Sequence, residues 1–429
     1  MRFFIIASII LMVLVSPIIF GFVALQSFPS VETPRTVKSA NAQQANDIIK
    51  RFRDAFQINT DQRKIQVSEG EVNSVLLFAG RAIPSFRGKT SVEAEAIHIA
   101  ASLKPPRLPG DKWLNLNLTV RPSRHGLEIA AIRLGPYDLP PQLVRPLLTF
   151  ALDMVLGDNL GTLAIDGVSA VSVRKRTVVI GLNISPRARE ALLARSKSRM
   201  RTNNGFGTGA EVRGYLEAIH NAAANGQLPR SGSFMPYLKF AYERAQKRGL
   251  GGDGAVEMRS ATLALAIYCG LRKLEILVGN VVPDSLKTQK SHCQSVTLGG
   301  RGDLRQHFIV SAALKVASDR GMAFAIGEFK ELLDANKGGS GFSFDDVAAD
   351  LAGIQFATTL FAGRGGVTAV LLQTMTRENS VLPKISDLPS RMSNNEFQRR
   401  FGGADTAAYK AMVRKIEQRI NALPFNALR

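Results

Sequence analysis

Cysteine is nearly absent: two residues, Cys269 and Cys293, in 429. A thiol-rich metal cluster or a disulfide-dense small fold is therefore excluded. Tryptophan occurs once and histidine five times, so histidine-rich metal tracts are excluded as well. Acidic residues are few, 35 against 55 lysines and arginines, which leaves a formal net charge of +20. No phosphate-binding loop, dinucleotide fingerprint, "HExxH" or "GxSxG" is present, so the common nucleotide-dependent and hydrolytic signatures are missing. The basic residues are scattered, with no run longer than "RKR" at Arg174–Arg176 and no aromatic-and-basic single-strand motif. That pattern argues against nucleic acid as a partner and favours an anionic membrane surface.

Long apolar runs are missing too, with one exception. From Phe3 to Leu25 the chain carries no charge, and Arg2 is the only charged residue before Glu32. About 20 such residues span a bilayer. The best signal-peptide cleavage site, the small-residue stretch "SANA" ending at Ala42, lies well past the run, so a cleaved signal is the alternative to a retained anchor. The expectation is a retained single-pass signal anchor over residues 1–27 in a bacterial inner membrane. Arg2 on the inner side would direct the rest of the chain into the periplasm. Membrane lipids and other envelope proteins are the expected partners. In that compartment Cys269 and Cys293 can form a disulfide; two separate buried thiols are the alternative.

The remaining chain reads as two regions, an α+β fold followed by an all-α domain. Residues 28–44 are polar and read as a linker. Residues 45–195 mix periods. "ANDIIKRFRDAF" has helical spacing, and Ser68 with Glu71 forms a capping box. In "WLNLNLTV", Leu114, Leu116, Leu118 and Val120 alternate with Asn115, Asn117 and Thr119, a half-buried strand. "AVSVRKRTVVIGLNI" reads as a hairpin. The expectation is a mostly antiparallel sheet with helices on one face, enclosing either an apolar groove for a lipid chain or a closed core. The "GPYDLP" turn, Gly135–Pro140, sits in an order of elements similar to that of membrane-anchored extracytoplasmic proteins. Residues 196–209 are basic and Gly-rich, a second linker, and residues 210–429 keep a helical period.

Titratable groups concentrate in the helical region. His307 and Ser311 lie one turn apart; Lys330, Glu331 and Asp334 follow on a second helix; Asp346 and Asp350 share a face of a third. Asp303 and Ser343 read as the N-caps of the first and third helices. The ordered set Asp303, His307, Lys330-Glu331, Asp334, Gly341-Phe342-Ser343, Asp346, Asp350 and Gly353 resembles the YfiM-like family of small bacterial envelope lipoproteins, over residues 303–353. The resemblance implies a shared polar site in an envelope protein and carries no activity.

Three chemistries fit the set His307, Lys330, Glu331, Asp334, Asp346 and Asp350. One is a buried ion-pair network. Another is a divalent-metal site with His307, Glu331 and Asp350 as ligands, in a hydrolase acting on an envelope component. The third is metal-free acid–base work by His307 with Ser311 as nucleophile. The expected role is non-catalytic, in binding or assembly at the membrane, with the metal-dependent hydrolase as the alternative.

Overall fold

A computed structural model describes residues 24–32, 37–57, 62–105, 111–156, 160–183, 209–250, 253–278, 281–317, 330, 341–362 and 369–428. The chain divides into two compact units. One comprises residues 1–34 and 43–192, the other residues 35–42 and 193–429. The fold mixes helix with antiparallel sheet. Nearly all of the anchor run, to residue 23, and most of the expected linker 196–209 lie outside the described residues. Among the described residues no helix is long and apolar enough to cross a membrane.

The first unit begins with β1 (Leu25–Gln26), α1 (Ser39–Gln57, whose first turn counts with the second unit), β2 (Gln62–Ser68) and α2 (Glu69–Ala82). A meander follows: β3 (Phe86–Val92), β4 (Ile97–Leu103), β5 (Trp113–Arg121), β6 (Glu128–Leu134) and β7 (Tyr137–Asp138). Then come α3 (Pro141–Leu156), α4 (Leu160–Asp166) and the hairpin β8 (Val168–Arg174) and β9 (Thr177–Asn183). The meander forms one sheet in the order β3-β4-β5-β6-β7, with β1 pairing antiparallel to β5. A second sheet has the order β2-β9-β8. Both are antiparallel throughout. Ser68 caps α2, and its capping box with Glu71 is closed in both directions. The β8–β9 turn places Lys175 and Arg176 at φ of 48° and 60°, the twist a two-residue hairpin demands.

Two features differ from the reading of the sequence. The last residues of the expected anchor, Leu25 and Gln26, are a strand and not membrane helix, paired with Leu114 and Trp113. The expected linker 28–44 is partly built in. Ser30 N donates to Asn115 Oδ1 and Ser102 Oγ, both at 3.0 Å. Asn115 Nδ2 donates in turn to the Phe28 carbonyl at 2.9 Å. Asn115, assigned by alternation to the solvent face of β5, is thereby 2 % exposed. Alternation predicts which face a side chain takes, but not that a later-packing segment roofs that face. The space between the sheets is filled by Val92, Ile97 and Val120 on one side and Val171 and Val178 on the other. Ile48, Ile65 and Val67 fill a second core.

The second unit contains α5 (Gly209–Ala224), β10 (Ser231–Ser233), α6 (Met235–Gly249) and α7 (Gly254–Leu265), the last continued by a π turn to Gly270. After the 3-10 turn Arg272–Leu277 come α8 (Asp284–Lys287), β11 (Ser295–Thr297), α9 (Gly302–Ala317) and α10 (Phe344–Leu360). The unit closes with α11 (Ala369–Thr374), α12 (Asn394–Phe401) and α13 (Ala407–Asn421). Where the sequence led to an all-α unit, the structure adds a short parallel strand pair, β10 with β11. Val37 exchanges backbone hydrogen bonds with Ala404 at 3.0 and 2.9 Å, which explains why residues 35–42 belong here. Nearly every side chain of α10 is buried, so its sequence shows no amphipathic stripe. Aromatic rings of Phe342, Phe344, Phe397, Phe401 and Tyr409 pack around its N-terminus. Tyr409, Ile416 and Ile420 of α13 face this core.

Candidate functional site

Helices α9 and α10 approach so closely that Gly353 has no room for a side chain. A Cβ there would lie 2.0 Å from the Phe308 carbonyl oxygen. That contact fixes the register of the two helices and brings the polar residues of one turn of α9 against one face of α10. His307 Nδ1 lies 3.1 Å from Asp350 Oδ1, and Ser311 Oγ donates to the same oxygen at 2.6 Å. His307 Nε2 lies 3.2 Å from Lys330 Nζ and 3.8 Å from Asp346 Oδ2. His307, Ser311, Asp346 and Asp350 are all buried. Of the predicted set, the helices therefore gather His307, Lys330, Asp346 and Asp350. Glu331 and Asp334 lie outside the described residues.

The sequence reading missed a second half of the cluster. Arg301, just before α9, reaches three carboxylates. Its Nε and Nη2 fork onto Asp303 at 3.1 and 2.7 Å, Nη2 also donates to Asp346 Oδ1 at 2.8 Å, and Nη1 donates to Asp345. A planar guanidinium can bridge several carboxylates in this way where an ammonium cannot. Asp303 is thus a partner of Arg301 within the first turn of α9, and not its N-cap. Ser343 does occupy the N-cap position of α10, yet its hydroxyl donates to the Asp345 carboxylate and caps no amide. A sequence pattern identifies a cap position, but an acid two residues on competes for the hydroxyl.

The electrostatics follow from these contacts. Burial acts most strongly on His307 and disfavours its charge. The Asp350 carboxylate and its hydrogen bond, helped by Asp346, outweigh burial and the nearby Lys330, and push the imidazole up to about 9. Asp346 is also raised, first by burial and then by Asp345 and Asp303, against the opposing pull of His307 and Arg301. The hydrogen bond to Asp303, with the charges of Asp345 and Asp346, holds Arg301 firmly protonated against its burial. The contact between His307 Nε2 and Lys330 Nζ accommodates one proton. Either an ammonium donates to a neutral ring, or an imidazolium donates to an amine.

This arrangement limits the chemistry. Both ring nitrogens of His307 are engaged, leaving no lone pair for a cation. Asp350 Oδ2 is buried without a hydrogen-bond partner, a single orphan oxygen. Among the described residues no three His, Cys, Asp or Glu side chains are arranged to hold a metal ion. Of the expected site of His307, Glu331 and Asp350, the first and last are brought together at 3.1 Å, and Glu331 lies outside the described residues. Ser311 bonds to the carboxylate and not to the imidazole, so His307 cannot take its proton as a nucleophile's base must.

Cys269 and Cys293 are joined, their Cα atoms 5.3 Å apart. His292, beside Cys293, stacks on His220 at 5.3 Å, and its ring is lowered by burial, then by Arg230 and His220. No family profile, curated protein or solved structure matches the chain.

Proposed function

We propose that the chain is a single-pass protein of the bacterial inner membrane. In this reading the apolar N-terminal run is a transmembrane helix and signal anchor, and both folded units lie in the periplasm. There the protein acts by binding or assembly, with membrane lipids and other envelope proteins as partners, and not by catalysis. The observation that carries the non-catalytic part is the engagement of both His307 nitrogens, by Asp350 and by Lys330. A buried histidine held from both sides fixes two helices; it does not present a base or a ligand to substrate. The uncharged run Phe3–Leu25 behind Arg2 supports the anchor, and the net charge of +20 supports an anionic surface as neighbour. The Cys269–Cys293 disulfide supports an oxidising compartment. The resemblance of residues 303–353 to YfiM-like lipoproteins points to the same envelope.

The alternative, a metal-dependent hydrolase acting on an envelope component, needs His307 with a free nitrogen beside an open cavity. Metal analysis tests the choice. The full chain, purified in detergent without chelator, should carry no stoichiometric divalent metal, and neither should His307→Ala. One metal per chain in the wild type, lost in the variant, would revive the hydrolase. Protease added to spheroplasts tests location: it should degrade both folded units of a membrane-bound chain, and protection of both units would contradict the orientation.

A further inference from the structure

The second unit carries a cleft of about 390 Å³ beside the disulfide, away from the His307 cluster. Four cationic side chains line it, Arg272, Lys287, Lys290 and Arg305, together with Tyr268 and Ser291, and among the described residues no acidic side chain does. A cavity of a few hundred Å³ is the size that takes a small ligand.

Arg305 distinguishes this cleft from an ordinary basic surface. The residue is only 8 % exposed. Its Nη1 donates to the carbonyls of Cys293 and, at 2.7 Å, of Val296. Its Nε is buried with no hydrogen-bond partner, and no carboxylate pairs with it among the described residues. Arg301, one turn earlier, reaches three carboxylates. A buried charge without a counter-charge is costly, by several kcal/mol in real proteins. Burial holds the Arg305 guanidinium below the usual arginine range. The chain places a cation here that no acidic side chain among the described residues neutralises.

The cleft is also held in shape before any ligand arrives. The disulfide joins the end of the π turn to the segment before β11. Arg272 donates to the carbonyls of Lys287 and, at 2.7 Å, of Gln289, clamping the opposite wall. Lys287 is paired with Asp284 at 2.7 Å, so three of the four cations have no carboxylate partner among the described residues. A braced wall carrying three such cations suits an anion of charge two or more. A monocarboxylate would leave most of that charge unmatched.

We infer that the cleft between the Cys269–Cys293 disulfide and Arg305 is a binding site for a phosphomonoester or diphosphate group carried on a small polar body. That group is the headgroup of an anionic lipid or a soluble phosphate compound. The proposal is independent of the role assigned to His307.

Calorimetric titration of the full chain in detergent, at fixed ionic strength, tests it with inorganic pyrophosphate as probe. One saturable site per chain is expected. Lys290→Gln, an exposed change, and Arg305→Lys, which keeps the charge but loses the guanidinium held in place by the Cys293 and Val296 carbonyls, should each weaken binding by about tenfold. If vesicles containing phosphatidic acid, a phosphomonoester lipid, displace pyrophosphate and pure phosphatidylcholine vesicles do not, the natural source is a lipid headgroup. If neither displaces it, the source is a soluble phosphate. Absence of saturable binding in the wild type overturns the proposal. So does binding that neither substitution weakens, and Lys290→Gln keeps the test decisive if Arg305→Lys fails to fold.

Discussion

Gly353→Ala and Gly214→Ala are the same chemical change in two buried-to-half-buried helices, and the structure predicts opposite signs. In α5, a Cβ at Gly214 meets nothing within 4 Å. Alanine there only gains helix propensity, roughly 1 kcal/mol over glycine. In α10, a Cβ at Gly353 would stand 2.0 Å from the Phe308 oxygen and 2.9 Å from its carbonyl carbon. These are backbone atoms of a buried helix, so no side chain can swing aside. Reaching an ordinary contact of 3.4 Å requires α9 and α10 to part by about 1.4 Å. Overpacking of this severity costs about 3 kcal/mol. The same separation carries Asp350 beyond hydrogen-bond reach of His307 and Ser311, adding about 1 kcal/mol or more for a buried carboxylate stripped of donors. After the gain in helix propensity, the net loss is about 3 kcal/mol. For a unit of this size that lowers Tm by about 6–12 °C. Differential scanning of the full chain in detergent, with Gly214→Ala as control, reads both signs. A Gly353→Ala protein as stable as the wild type would refute the claim that this contact sets the register of the polar cluster.

His307 ties the stability of the second unit to pH. Its folded value of about 9 lies above the ordinary 6.5, so its contribution is complete below 6.5 and is lost as the pH rises through 9. The loss is at most about 3 kcal/mol, and His307→Gln should flatten the fall in Tm between pH 6.5 and 9; an equally steep fall in the variant would contradict the assignment. Ser311→Ala removes one of the two donors to Asp350 Oδ1, whose sister oxygen already has none. It should cost about 1–3 kcal/mol in chemical denaturation, and a neutral result would mean that water replaces the hydroxyl. Reduction of the Cys269–Cys293 disulfide, which spans 24 positions, should lower stability by about 3 kcal/mol and abolish pyrophosphate binding in the cleft; unchanged binding after reduction would show that the bond does not shape the site.

How much of this was legible in the sequence varies from element to element. The strand alternation of β5, the hairpin at Arg174–Arg176 and the capping box at Ser68 depend on neighbours within a few residues, and local pattern carries them. The meeting of His307 with Asp350 was half legible: helical spacing put the right residues on one face of each helix, but could not show that the two faces oppose. Gly353 was the available signal for that, as the one position in α10 where backbone can approach backbone. The burial of Asn115 was not legible, because the covering segment Gln26–Val31 lies far away in sequence. Neither was Arg301, which precedes α9 and gathers acids from that helix and from α10. Arg305 had no signal at all; an unpaired buried arginine and a solvated one look alike in one dimension.

The central claim is that His307 is a structural clamp with both nitrogens committed. Nitrogen-15 chemical shifts of the full chain labelled at its histidines measure this directly, during titration with zinc or manganese at pH 7.5. The account predicts that His307 keeps a protonated Nδ1 and that one equivalent of metal leaves both of its nitrogens unmoved. A stoichiometric metal-induced change at either His307 nitrogen would contradict it.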